Sequence, residues 1–341
     1  MEYSSVVGLV LAAGKGTRMK SDNPKVLHEA FFSPIIHHVL DALQPISLGR
    51  NIVVTGHRHQ LVEGSLRGYS LSFVHQSQQL GTGHAVLACE DELRSHKGSV
   101  LILCGDTPLI KTETLRLFLH AHIEGASHLT VMTTNVTTPD NYGRIISDEY
   151  GNIVRIVEEK DANPAQKKIK EINAGIYCVD AHFLFDALKR VGTNNMQGEI
   201  YLTDIVAIAV GDGIHVHKFC CLDSEEILGV NSRRDLAQAH AVLQRRYLVV
   251  LMESGVTLIQ PEAVTIEKTV TIGKDSVIYP NTALTGVCNI GSGVHIDSFV
   301  KIDGCTIGDC VRIGPFTHLQ QTSIPSWSTV APHTIDIKCG K

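Results

Sequence analysis

LAAGKGTRM, residues Leu11 to Met19, follows directly on the apolar run Val6 to Leu11 and is succeeded by PKVLH, Pro24 to His28. A strand-like run that empties into two glycines, two cations and a threonine, with a further cation behind a proline, has three readings. A dinucleotide fingerprint needs a third glycine, and Met19 stands in its place. A P-loop needs GK and then Ser or Thr at a fixed spacing, which this loop lacks. A looser anion cradle is compatible: the glycines let backbone N–H groups approach phosphate oxygens, while Lys15, Arg18 and Lys25 add positive charge. A plain tight turn with solvated lysines fits the loop alone equally well.

Outward from this loop, the chain to about residue 230 alternates short apolar runs with amphipathic stretches. The runs are VVGLVLAA, NIVVTG at 51–56, SVLILCGD at 99–106 and HLTVMTT at 128–134. Between them PIIHHVLDAL at 34–43, GTGHAVLACEDEL at 81–93 and TETLRLFLHAHIEG at 112–125 have helical patterning. Near-continuous apolar strands separated by helices predict a Rossmann-like α/β domain, its mainly parallel sheet covered on both faces. Ligands of such sheets sit at the carboxyl ends of the strands, where both LAAGKGTRM and CGDTP fall.

From Val264 onward the texture changes. Aliphatic residues recur every sixth position at Ile266, Ile272, Ile278, Leu284, Ile290, Ile296 and Ile302, then, one residue short, at Ile307, Ile313 and Leu319. Units such as IGKDSV, IGSGVH and IGDCVR have the period of a hexapeptide parallel β-helix, with the aliphatic pointing into a triangular core; about three coils are expected. LAQAHAVLQRRYLVVLMESG at 236–255 reads as a connecting amphipathic helix with Gly255 as its stop. The expected division is an α/β domain over 1–232, a connecting helix over 233–256 and a short β-helix over 257–341.

Composition narrows the function. With 341 residues, 43% hydrophobic content and a net charge of −5, the chain can fill two cores but has no excess of cations for a nucleic-acid backbone. No apolar run approaches the length of a membrane span, and MEYSS carries no basic leader, so a cytoplasmic protein is expected. Nine cysteines lack CxxC pairing, which suits reduced thiols better than disulfides or zinc. The eighteen histidines form no ligand spacing and read as surface or packed residues.

LAAGKGTRMKSDNPKVLH resembles the signature of bacterial sugar-nucleotide pyrophosphorylases. QSQQLGTGHA at 76–85, CGDTPLI at 104–110, NYGRI at 141–145, VEEKDA at 157–162, EINAGIY at 171–177, NMQGEIYLTD at 195–204 and LGVNSR at 228–233 resemble, in order, the motifs of N-acetylglucosamine-1-phosphate uridylyltransferases. That family carries a left-handed hexapeptide helix on the same chain, which bears an acetyltransferase and assembles as a trimer.

The resemblance implies attack by a sugar-1-phosphate oxygen on the α-phosphorus of UTP, giving UDP-N-acetylglucosamine and pyrophosphate. It puts Leu11, Ala12, Ala13, Gly14, Lys25, Gln76, Gly81, Thr82 and Gly105 against the nucleotide, with Arg18 and Lys25 offsetting charge during transfer. It puts Gly143, Glu158 and Asn173 around the sugar, and Asp106 and Asn231 on Mg²⁺, an ion that commonly takes only one or two protein oxygens. From the residues alone, Asp106 could be a helix cap, Asn231 a turn residue, Gln76 a polar cap, and the sugar set structural. Two departures stand out. Gln320 replaces an arginine common in the family, which implies that acetyl transfer is absent, and Cys104 before Gly105 is expected to contribute only its backbone. The competing functions are nucleotidyl transfer to another sugar-1-phosphate or from another base, a repeat acyltransferase built on His295, His318 or His333, and a nucleotide-sugar sensor without catalysis; a sensor is expected to have lost Asp106 or Lys25, and both are present.

Overall fold

Every side chain of VVGLVLA is aliphatic or absent, and as strand β1 (Val6–Ala12) the segment is buried on both faces at the middle of a nine-stranded sheet. The computed structural model describes residues 3–337. Its other strands are β2 (Arg50–Thr55), β3 (Ser72–His75), β4 (Ser99–Cys104), β5 (Leu129–Asn135), β6 (Arg144–Ser147), β7 (Ile153–Val157), β8 (Glu171–Asp180) and β9 (Val216–Cys220). The sheet order is β9-β5-β8-β4-β1-β2-β3, with β6 pairing to β8 and β7. β3, β2, β1 and β4 are mutually parallel, and so are β5 and β9; β8 runs antiparallel to both β4 and β5.

Alternate side chains of these strands feed two cores, as a sheet covered on both faces requires. Leu9, Ile52, Ile102 and Val179 pack against Leu184, Leu188 and Ile205 on one face. Val10, Val53, Leu101 and Met132 pack against Ile36, Val39, Leu43, Leu115 and Phe118 on the other. The helices Ile35–Leu43 and Thr112–Glu124 lie where the pattern puts them, whereas 81–93 breaks into Thr82–Leu87 and Glu90–Leu93. No helix among the described residues is long and apolar enough to cross a membrane.

The chain divides between Leu236 and Ala237. The helix Arg233–Glu253 runs through this point, and its Leu248 and Leu251 join the core of the second unit. There two-residue and three-residue strands stack into three parallel ladders of five, five and four strands. Leu284 and Ile302 face each other across neighbouring coils in an 18-residue repeat, whereas Ile290 pairs with Ile307, so the shortened spacing marks a coil one residue tighter.

The stack is deeper than the three coils expected. It begins at Thr257–Leu258, ahead of the periodic run, because a 3₁₀ turn at Pro261–Ala263 widens the spacing to Ile266. It continues past Leu319 through Ile324 and Val330 to Asp336, where a carboxylate stands in register with Leu319 and accepts from Thr322 Oγ1 at 2.9 Å. An aliphatic-only search ends before that position.

Core density in this stack predicts an asymmetric response to truncation. Ile302→Ala, at a fully buried position, should lower the unfolding free energy by about 2–5 kcal/mol in urea melts. Val287→Ala, at a side chain 71% exposed, should change it by no more than about 0.5 kcal/mol. Equal losses at both positions would contradict the inward register assigned to Ile302.

Candidate functional site

β1 and β4 are neighbours, so the loops leaving their carboxyl ends emerge side by side. Gly105 N–H donates to Leu11 carbonyl oxygen at 2.9 Å and fastens them together. One residue on, the Asp106 carbonyl accepts from Val230 N–H at 2.8 Å, which draws the distant segment 229–231 to the same edge. That segment ends in a reciprocal cap on the helix Arg233–Glu253: Asp235 N–H donates to Ser232 Oγ at 3.2 Å, and Asp235 Oδ2 accepts from the Asn231 and Ser232 N–H groups at 3.0 and 2.9 Å.

The Asn231 amide is thereby aimed. Its Nδ2 donates to Gly229 carbonyl oxygen at 3.4 Å, and its Oδ1 accepts from Arg18 Nη2 at 2.9 Å and Lys25 Nζ at 3.1 Å. Lys25 Nζ also forms an ion pair with Asp106 Oδ2, both side chains being largely buried. Arg18 Nη1 reaches Asn141 Oδ1 at 3.5 Å. Arg18, Lys25, Asp106 and Asn231, the four residues expected to handle charge, therefore meet at one place. Lys15 lies on the cavity wall beside them, exposed.

Three cavities adjoin this cluster: one of about 470 Å³ reaches Arg18 from the side of Asn141 and Lys160, and the two others share a wall. Of those two, the first, of about 430 Å³, is lined by Leu11 to Gly14, Lys25, Gln76, Gly81 and Thr82 among others; Gly105 lines neither. The buried Gln76 is held by its amide nitrogen, which donates to Gly81 carbonyl oxygen at 3.2 Å and to His84 Nδ1 at 2.9 Å. Its Oε1 has no partner among the described residues. The two glycines expected to cradle a ligand differ physically. Gly81 has φ +112, and a Cβ there would lie 2.5 Å from the Ile200 carbonyl oxygen, so the fold itself demands glycine. A Cβ on Gly14 would meet nothing within 4 Å.

The second cavity, of about 280 Å³, holds Gly143, Glu158 and Asn173, and shares Leu11, Thr82, Cys104 and Asp106 with the first. Asn173 sits where the β8–β5 register shifts. Its Oδ1 accepts from Gly175 N–H at 3.0 Å and its Nδ2 donates to Tyr177 Oη at 2.6 Å. Glu158 Oε1 accepts from Thr203 Oγ1 at 3.0 Å. Burial pushes the Glu158 carboxyl above the usual carboxylate range, the Thr203 bond opposes this, and Asp204, Asp161 and Glu199 reinforce it. Cys104 does more than lend its backbone: it lines both cavities, its Sγ approaches the Gly175 carbonyl at 3.7 Å, and burial pushes the thiol up to about 12, so it stays neutral.

Several participants were missed. Arg144 of NYGRI is completely buried, pairs with Glu159 and donates to the Tyr142 carbonyl, fixing the backbone next to Gly143. His84 orients Gln76, although the histidines read as bystanders. Thr203 holds Glu158. Each acts on another site residue, which spacing does not reveal; only their presence inside quoted motifs could have pointed to them.

With this geometry in view, residues 8–171 match the MobA-like NTP transferase domain, and residues 288–321 match the bacterial transferase hexapeptide (six repeats). Over 329 residues the chain is 43% identical to the bifunctional protein GlmU of Pelobacter propionicus, covering 96% of this chain and 72% of that one. It is 44% identical over 311 residues to the protein of the same name from Desulfotalea psychrophila, covering 91% of this chain and 92% of that one. A third relative of that name, from Exiguobacterium sibiricum, is 41% identical over an alignment of 346 positions that covers 97% of this chain and 77% of that one. The chain belongs to the GlmU family. It is a nucleotidyltransferase with a hexapeptide-repeat second unit, as the motif resemblance implies.

The contrast between the glycines is testable in the folded protein. Gly81→Ala is expected to lose about 2 kcal/mol or more of stability, because strain and overlap with Ile200 both apply. Gly14→Ala is expected to melt within a degree or two of the parent by calorimetry. A Gly14 variant as unstable as the Gly81 variant would show that the loop, and not a ligand, requires that glycine.

Proposed function

We propose that this protein transfers the uridylyl group of UTP to N-acetylglucosamine-1-phosphate, forming UDP-N-acetylglucosamine and pyrophosphate. The observation that carries the reading is the junction of the two cavities at Asp106, with Lys25 and Arg18 on the same spot. A donor in the larger cavity and an acceptor in the smaller would bring their phosphates together there. The free Oε1 of Gln76 can accept from the imide N–H of uracil, and the open space over Gly14 leaves room for the nucleotide. Glu158 and Asn173 offer hydrogen-bonding groups to hexose hydroxyls; at Gly143 a Cβ would lie 2.9 Å from Ile156 Cγ2, so glycine lets the chain pass close to this cavity.

The sugar-phosphate oxygen attacks the α-phosphorus as the bond to the bridging oxygen of the β-phosphate breaks, and that oxygen leaves with pyrophosphate. No covalent nucleophile of the protein is required; alignment and charge compensation supply the catalysis. Lys25 and Arg18 face the junction and offset charge moving onto the leaving group. The reading includes a divalent cation, for which we assign Mg²⁺, and the donors fit it. The Asp106 carboxylate and the Asn231 carbonyl are hard oxygens that converge on one cation, Lys25 Nζ, in the structure. When bound, such an ion supplies charge neutralisation on the phosphates. Acetyl transfer is not part of the proposal: Gln320 donates its amide to the Asp303 carboxylate at 3.3 Å and brings no positive charge to hold a sugar phosphate.

The second unit has an apolar, exposed line that supports the proposed trimer. Phe299, Phe316 and His333 stack with centroids 5.1 Å apart and planes within 5°, and the two phenylalanines are about half exposed. Light scattering should give the mass of three chains; a monomer or dimer would exclude the trimer.

The deciding assay is pyrophosphate release from UTP with Mg²⁺. N-acetylglucosamine-1-phosphate should support turnover, glucose-1-phosphate and glucosamine-1-phosphate should not, and Asp106→Ala or excess EDTA should reduce the rate at least about 10²-fold. Turnover confined to another sugar would reassign the acceptor, and none with any sugar would return the chain to the sensor reading. Supplied with acetyl-CoA and glucosamine-1-phosphate, the enzyme should release no free CoA.

A further inference from the structure

Thr203 stands at the cap position of the helix Asp204–Gly211, yet its side chain makes no capping hydrogen bond. A threonine there ordinarily accepts from an N–H in the first turn. Here the buried hydroxyl turns away and donates to Glu158 Oε1 at 3.0 Å. The carboxylate is thus held by one oxygen, while Oε2 stands 3.6 Å from where a Cβ of Gly143 would be. The same short segment is tied to the wall of the nucleotide cavity: Ile200 N–H donates to Leu80 carbonyl oxygen and Gly83 N–H to Ile200 carbonyl oxygen, both at 2.8 Å, and Leu202 N–H donates to Thr82 Oγ1 at 3.1 Å.

We propose that Thr203 is a positioning residue for sugar recognition: residues 200–203 form a strut that sets the Glu158 carboxylate at a fixed offset from the Gly81–Thr82 wall. This rests on the reading of Glu158 as the acceptor for the sugar. The hydroxyl does not touch the reacting atoms; it chooses which carboxylate oxygen is offered and helps keep the group ionised. That second effect matters because the charges acting most on Glu158 are acidic, while the cations that share its cavities, Arg18 and Lys160, are bonded to Asn231 and Gln197. Asp161 and Glu199 lie on neighbouring loops, Asp204 on the following helix, and Tyr177, Tyr201 and Cys104 nearby. Removing this hydroxyl, which stabilises the charged form, shifts the carboxyl further in the direction burial already pushes it, upward.

The test compares Thr203→Val, Thr203→Ala and Thr203→Ser with the parent enzyme across pH. Val and Ala are expected to raise KM for N-acetylglucosamine-1-phosphate roughly tenfold, with KM for UTP within about twofold, since the backbone bonds to residues 80–83 survive. The acidic limb of kcat/KM for the sugar should move to higher pH by about half a unit or more, because more alkaline conditions are needed to ionise Glu158. Ser should restore both values. The unchanged UTP constant reports that the variant is folded, and Ala serves where the Val methyl is not accommodated. Parallel rises in both KM values, an unmoved acidic limb, or a Ser variant as impaired as Val would overturn the role of Thr203. A parent enzyme inactive with N-acetylglucosamine-1-phosphate would instead overturn the assigned reaction.

Discussion

A carboxylate cannot be taken out of water without a partner, and Asp106 is largely withdrawn from it at the end of a buried strand. Its partner, Lys25, comes from a one-turn 3₁₀ segment whose entry is fixed by Pro24, and the ammonium is shared with Asn231 from the far end of the first unit. Three segments remote in sequence are therefore locked by one charge requirement. The backbone bond from Val230 to Asp106 makes the arrangement rigid, since the side chain of Asn231 cannot leave while its neighbour is held. Removing one member of such a cluster leaves the others buried and unpaired, which makes it cooperative.

Strand direction explains how the second cavity reaches the same edge. In an all-parallel sheet only carboxyl ends would face the crevice, and the beginning of a strand would lie at the opposite rim. β8 is inverted: Asp180 pairs with Ser99 and Tyr177 with Ile102, so its early residues extend past Cys104 toward the loops that follow β1 and β4. Asn173 thus arrives beside Gly143 and Glu158, and the local shift of register leaves its amide to Tyr177 and Gly175. The connection through β6 and β7 supplies Gly143 before one strand and Glu158 after the other, so a short antiparallel pair delivers both.

What the sequence made legible was whatever repeats or stays local. Continuous apolar runs gave the strands of the parallel half, and the six-residue period gave the β-helix. The depth of the stack was not legible, because Leu258 is displaced by a 3₁₀ turn and Asp336 occupies an inward position without being aliphatic. Gly14 and Gly81 looked alike as letters, yet one answers to open space and the other to the Ile200 backbone. Arg144, His84 and Thr203 escaped for a common reason. Each makes its defining contact with a second side chain or carbonyl, and a contact of that kind exists only after the chain has folded. The inversion of β8 was equally hidden, since an apolar run carries no mark of direction.

Charge around the crevice leads one step further. The two cavity linings include the cations Lys15, Arg18 and Lys25 and the anions Asp106, Glu158 and Glu199, an even balance in a chain whose net charge is −5. A triphosphate and a sugar phosphate together bring several negative charges into this volume. Protein cations already engaged with Asp106 and Asn231 cannot offset all of them. On the proposed reading the pairing of Lys25 with Asp106 is then one setting of an exchange: a divalent cation taking the two oxygens would free the ammonium for phosphate. On that reading the carboxylate would serve twice, holding the lysine in reach and releasing it when a divalent cation takes its oxygens. Lys25 Nζ stands between the Asp106 and Asn231 oxygens, so an ion that took both would displace it, which gives a physical reason for the long chain of constraints that puts Asp106 there.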